Sequence, residues 1–346
     1  VIDLLVAGGG PAGLATAILA AQAGLQVTVA EPRSTPVDKA CGEGLMPAAV
    51  ARLRALGVEP AGRPLAGIRY LDPTHRADAL FHNGSGLGVR RTVLQAALAE
   101  RAAQLAIAIL PVRVAEFTQS SDYVEAAGVR ARHLVAADGL HSPIRRACGL
   151  DPAPAGRPRF GLRRHYRIEP WSDLVEVYWS AGSEAYATPV ADDLVGVAIL
   201  GPAASADSGQ RDFDSRLAGF PALRERLGAA EPAGAVRGAG PLRQDVRRRV
   251  SANVLLVGDA SGYVDALTGE GISVALAQAA ALVECLRTGR AAEYERQWRR
   301  VSRKSRLLTL GLLRATHTPL LAPRIVPAAA RLPWLFAGIV NQVASG

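Results

Sequence analysis

Apolar residues run unbroken from Leu4 to Ala7, stop at Gly8, Gly9, Gly10 and Pro11, and resume from Leu14 as aliphatic and small residues up to Ala23. A short apolar run closed by glycines fits a buried strand, and the longer run after it fits a buried helix. The pattern predicts strand 2–7, a tight turn, helix 12–23, and a second strand 26–30 that ends in an acid. Residues 2–21 approach the length of a membrane span, but the glycines and proline divide them. Two later runs, RHLVAADG and SANVLLVGD, read as apolar strands stopping at Asp138-Gly139 and Gly258-Asp259. A short helix carrying Ser142, Arg145 and Arg146 follows the first, and a turn-rich loop and a long small-residue helix follow the second.

Between these runs the period shortens to two. Residues 66–84 read as a hairpin, and RFGLRRHYRI, LVEVYWSA, EAYATPV and LVGVAIL read as strands of a mixed or antiparallel sheet with one solvent or ligand face. Residues 212–228 read as a helical pair within that region. After 295 a helical pattern is broken into short pieces by Pro319, Pro323, Pro327 and Pro333. There Arg299, Arg300, Arg303, Lys304 and Arg306 precede the apolar run Leu307 to Leu313. That order fits a helix at a lipid interface, or a helix packed on its own domain with its basic turn in water.

The chain has 346 residues, 49% apolar and 21% charged, which suits two globular domains with a large core. The formal charge is +9, but only Lys39 and Lys304 are lysines and aromatics are 5%, so a nucleic-acid partner is not expected. Three widely spaced cysteines, Cys41, Cys148 and Cys285, suggest neither disulfides nor a metal site. With no secretory pattern at the first residues, a cytoplasmic protein is expected, with peripheral membrane contact left open.

The first turn carries chemistry. Gly8, Gly10 and Gly13 give the GxGxxG spacing, with Pro11 and Ala12 opening the helix. The first glycine allows the turn, the second the approach of a pyrophosphate, and the third close packing of helix on strand. Glu31, at the end of the second strand, suits a ribose, and Arg33 reaches the same end of a dinucleotide.

Together with Arg91 at the head of TVLQAALAERAAQ, the segments CGEGLMP at 41–47 and GDASGYVDALTGEGI at 258–272 complete a set that resembles the class A flavoproteins. Within them it looks most like the geranylgeranyl reductases. The resemblance implies an α/β fold: a Rossmann-like FAD-binding domain of the glutathione reductase type, para-hydroxybenzoate hydroxylase-like, with a mixed β-sheet substrate domain and a C-terminal helical region. It implies a discontinuous FAD domain (1–65, 86–150 and 245–295), a substrate domain (66–85 and 151–244) and a C-terminal segment (296–346). Gly8, Gly10 and Gly13 match the pyrophosphate turn, Glu31 the ribose ligand and Arg91 an arginine near the phosphates. Asp138 and Gly139 match a pair at pyrophosphate and nicotinamide nucleotide, Gly258-Asp259 the ribityl site, and Gly269, Gly271 and Ile272 the loop over the flavin ring.

Cys41 matches a position near flavin and substrate, where a thiol in a polarising setting titrates near neutrality; the alternative is a buried, inert thiol. Glu43, an acid if burial raises its pKa, and Tyr186 are the other catalytic candidates. Two departures stand out: Glu43 occupies a glycine position, and Glu184 to Pro189 keep only one ring of an aromatic strand. The expected activity is reduction of a carbon–carbon double bond in an apolar isoprenoid or polyketide-like small molecule. The alternative is an NAD(P)H-dependent monooxygenase acting on an aromatic or polyketide substrate through a flavin C4a-hydroperoxide. NAD(P)H is the expected electron donor in both, the protein a monomer or weak homodimer. A halogenase is disfavoured because its Trp-x-Trp-x-x-Pro segment is missing.

Overall fold

The computed structural model describes residues 1–152, 157–202 and 213–345. The predicted opening unit forms as strand Ile2–Ala7, helix Pro11–Gln22 and strand Val27–Ala30. Ile2–Ala7 lies at the centre of a sheet, paired in parallel with Val27–Ala30 on one side and Val129–Ala136 on the other. Val254–Leu256 extends the sheet in parallel beyond Val129–Ala136, and Ala108–Leu110 extends it beyond Val27–Ala30. Segments far apart in sequence thus interleave in one sheet, whose central strands are buried because helices cover its faces. Leu4, Val6, Leu14, Ile18, Leu98 and Leu282 share one core cluster there, which also takes in Tyr294 and Trp298.

The second sheet contains Arg159–Arg167, Leu194–Pro202, Ser183–Ala191 and Leu174–Ser180, antiparallel in that spatial order. The predicted hairpin, Gly67–Leu71 and Arg76–Leu80, joins it through a parallel pairing with Leu174–Ser180, so the sheet is mixed. Its expected solvent face is covered. Tyr166, Tyr178, Val195 and Val197 pack under the short helices Phe213–Leu217 and Pro221–Leu227, while Asp212 of the predicted pair lies outside the described residues. The opposite face, carrying Val177, Tyr186, Ala198 and Leu200, looks toward the first domain.

After these sheets come the helices Tyr294–His317, Ile325–Arg331 and Pro333–Ala344. The expected boundary at 295/296 falls inside the first of them, because Tyr294 and Trp298 anchor that helix in the core of the dinucleotide domain. Of the leucines in its apolar run, Leu313 is buried, Leu308, Leu310 and Leu312 are half-buried, and Leu307 is exposed. The run therefore packs mainly against protein. Among the described residues no helix is long and apolar enough to cross a membrane.

Candidate active site

Three strands of the first sheet end on one cleft, where the chain turns at Gly8, at Asp138-Gly139 and at Gly258-Asp259. Two glycines are required by contact. Gly8 has φ +114°, and a Cβ there would lie 2.5 Å from Ala137 O. A Cβ on Gly13 would lie 1.9 Å from Gly8 O, so the helix sits directly on the turn. Gly10 caps helix Pro11–Gln22 with no side-chain hydrogen bond, leaving the first N–H groups facing the cleft with the positive end of the helix dipole. Pro11 and Ala12 line it.

Glu31 is buried at the end of the second strand. Its carboxylate accepts from Gly9 N at 2.8 Å, from Arg33 N at 3.0 Å, and from Arg33 Nε and Nη2 at 2.8 and 2.9 Å. Burial pushes its pKa up, but the Arg33 and Gly9 hydrogen bonds outweigh this and hold it below the usual range. These bonds fill the lone-pair directions of both oxygens. A ribose hydroxyl would have to take over a direction now held by the exposed Arg33 side chain.

Arg91 is only 7% exposed, with Nη2 3.7 Å from where a Gly10 Cβ would stand. Its Nη1 is buried without a hydrogen-bond partner, and burial pushes the guanidinium pKa down. Asp138 accepts from Ile144 N at 3.3 Å through Oδ2, while Oδ1 is buried and unpartnered. Burial raises the pKa of Asp138 and also that of Asp259, where the Lys39, Arg91 and Arg145 charges oppose it. Buried polar atoms without partners are rare in folded proteins. Here a donor stands beside a glycine turn, as a phosphate-bearing ligand requires.

Beyond the turns the cleft continues into an apolar cavity, and the whole space measures about 260 Å³. Met46, Ile68, Val177 and Leu200 line its far part, and Cys41, Glu43, Arg163, Tyr186 and Thr188 supply polar groups. Glu43 has φ +61°, the left-handed region that favours glycine. Its buried carboxylate holds that backbone. It accepts from Arg91 N at 2.8 Å, meets His165 Nε2 at 2.6 Å, and lies 3.9 Å from Arg163 Nε. Strand glycine Gly196 leaves room for it, since a Cβ there would stand 2.9 Å from Oε2.

The expectation that Cys41 titrates near neutrality is corrected. Burial pushes the thiol up, the Glu43 charge adds to this, and Arg91 and Arg163 only partly offset it. Tyr186 lies against the cavity and donates its hydroxyl to Leu267 O at 2.9 Å; burial, then the Glu184 charge, push the phenol well above its usual value. The loop it holds contains Gly269, with φ +68°, and leads into helix Gly271–Arg287, whose first residues, Gly271 and Ile272, face the cavity.

Several residues have roles here that the sequence reading did not assign. Lys39 Nζ stands 3.2 Å from where a Gly139 Cβ would be, and a lone lysine two residues before Cys41 was the signal for it. Arg145, 2% exposed, ties the Asp138 loop to the Gly258 turn through Leu140 O, Ala260 O and Gln244. Arg159 joins Glu184 at 2.5 Å and Asp265 at 3.0 Å in a buried cluster under the 264–270 loop.

The model of the FAD-binding domain family matches residues 2–293. The chain belongs to this family. The unpartnered Arg91 nitrogen and the glycine cradle fit the pyrophosphate of FAD, and the family makes the protein an FAD-dependent oxidoreductase of the class A flavoproteins. It is 28% identical over 333 residues to menaquinone reductase of Mycolicibacterium smegmatis, covering 86% of this chain and 79% of that one. It is 27% identical over 301 residues to digeranylgeranylglycerophospholipid reductase 1 of Methanothermobacter thermautotrophicus, covering 78% and 73%. The fold is shared with the flavin-dependent brominase Bmp2, at TM-score 0.84 and 18% identity over 99% of this chain and 93% of that one. The flavin-dependent halogenase CmlS gives TM-score 0.76 at 21% identity over 88% of this chain, which spans only 62% of that protein's length.

Proposed function

We propose that this flavoprotein hydroxylates an apolar aromatic or polyketide-like molecule, using dioxygen and NAD(P)H. One oxygen atom enters a ring C–H bond, the other leaves as water, and NAD(P)H supplies the two electrons. Bound FAD carries those electrons to oxygen. In this reading the helix 11–22 N-terminus and Arg91 hold the pyrophosphate, Glu31 the ribose, Asp259 the ribityl chain, and the N–H groups of 269–272 face the ring edge.

The observation that carries this is the state of the cavity's acids. Reducing a double bond requires a proton at carbon. Glu43 is occupied by Arg91 N, His165 and Arg163, Tyr186 already donates to Leu267 O, and burial leaves the Cys41 thiol protonated but a weaker acid than a free thiol. Hydroxylation of an electron-rich ring needs no acid at carbon, and a largely apolar cavity limits side reactions. Double-bond reduction is the second reading, favoured by the two reductases similar to this chain and by the protonated Cys41 thiol at the cavity wall.

The test is anaerobic. The flavin-loaded protein is reduced with NADPH or dithionite, an alkylphenol or a polyprenyl quinone is added, and oxygen is admitted afterwards. A product one oxygen heavier, formed only after oxygen enters, is expected. A substrate that gains two hydrogens and reoxidises the flavin before oxygen enters overturns the proposal. Cys41→Ser then separates the two readings: about twofold or less loss of turnover in hydroxylation, against about 100-fold if the thiol protonates carbon. Flavin content serves as the folding control.

A further inference from the structure

Residues 296–346 contain nine Lys and Arg and no Asp or Glu. The other 31 basic residues of the chain are matched by its 31 acidic ones, so the entire formal charge of +9 belongs to this segment. The same segment carries most of the large apolar side chains left exposed among the described residues: Leu320 is 71% exposed, Trp334 71%, Leu321 50%, Leu332 and Leu335 42%, and Ile339 43%. Arg324 and Arg331 lie exposed among them. Leu80, 57% exposed, borders the patch from the neighbouring hairpin, because Asn341 donates to its carbonyl at 2.8 Å.

We infer that this face docks the protein on an anionic lipid bilayer. Isolated exposed leucines are ordinary, but a set gathered with arginines on adjoining helices marks an interaction surface. Arginine with leucine and a protruding tryptophan suits the boundary between headgroups and acyl chains, where each basic residue adds about 1 kcal/mol toward anionic lipid. Self-association through this face would bring two surfaces of the same sign together. The inner side of the same helices backs residues that line the cavity: Phe336 packs on Tyr70 with ring centroids 4.6 Å apart, and Val340 and Val343 share a cluster with Met46, Ile68 and Tyr186. Docking there sets the apolar cavity one helix layer from the bilayer, a short path for a lipid-soluble substrate.

The experiment is flotation of the flavin-loaded protein with phosphatidylcholine vesicles, with and without phosphatidylglycerol, at low and high salt. Binding only with phosphatidylglycerol, weakened by salt, is expected. Arg324→Gln with Arg331→Gln should weaken it about 30-fold, the effect of two basic residues, and Trp334→Ala by several-fold, with flavin content unchanged. Absence from phosphatidylglycerol vesicles, or equal binding to both kinds, overturns the inference. A dimer in sedimentation that Trp334→Glu dissolves, without vesicle binding, also overturns it and assigns the face to a second copy. No turnover enters the measurement, so its outcome is separate from that of the proposed hydroxylation.

Discussion

At the nucleotide end of the cleft the backbone makes the site: Gly8 and Gly13 touch, the helix presents its N–H groups, and Glu31 lies one strand away. At the substrate end almost nothing polar is local. Arg159 reaches Glu184 across 25 residues and Asp265 across 106, and Glu43 meets His165 across 122. The first end is a shape that needs small residues, whereas the second is an arrangement of buried charges that holds only while every partner is present. Changes at the two ends should therefore fail differently.

The largest effect is expected from Arg159→Met. It leaves Glu184 and Asp265 buried without their shared cation, and removing one partner of such a group costs about 3–5 kcal/mol. Urea unfolding of the flavin-loaded protein measures it. A loss below about 1 kcal/mol would show that the substrate end tolerates change as a surface does, and the contrast would fall.

That contrast also explains what was legible in the sequence. The GxGxxG turn, Glu31, the Asp138 and Asp259 strand ends and the helix at Arg91 are short-range patterns, and each forms where the periodicity puts it. The strands of the substrate sheet were legible for the same reason. Their pairing partners were not, nor was the covered outer face, because both depend on elements far off in the chain. Glu43 was visible as a candidate acid and as a departure from glycine. Its role in holding a left-handed backbone required His165 and Arg163, which no local spacing connects to it.

A smaller effect separates the ends by pH. Burial pushes Glu184 up to about 7, against an ordinary 4.5, with Arg159 pulling it down and Asp265 opposing that. The phenols of Tyr70 and Tyr186 face the same carboxyl and feel its charge. Between pH 4.5 and 7 the folded protein keeps a proton on Glu184 that the unfolded chain has lost. This contribution to stability is full below 4.5, falls as pH rises, and is gone above about 7, a change of about 3 kcal/mol. Glu184→Gln should flatten that part of the stability–pH curve, read as the difference between the two proteins. Parallel curves would remove Glu184 as the titrating group.

The smallest effect belongs to the nucleotide end and is the most selective. Arg91→Met removes a buried guanidinium whose Nη1 has no partner in the protein, so the flavin-free chain has little to lose, and its thermal midpoint should stay level or rise. FAD, in contrast, loses a charge-assisted hydrogen bond of about 1.5–3 kcal/mol, which is about 10- to 150-fold in Kd. Titration of the flavin-free protein with FAD measures the second quantity and calorimetry the first. A variant that binds FAD normally but melts early would make Arg91 a structural residue like Arg159, and the two ends of the cleft would then follow one rule.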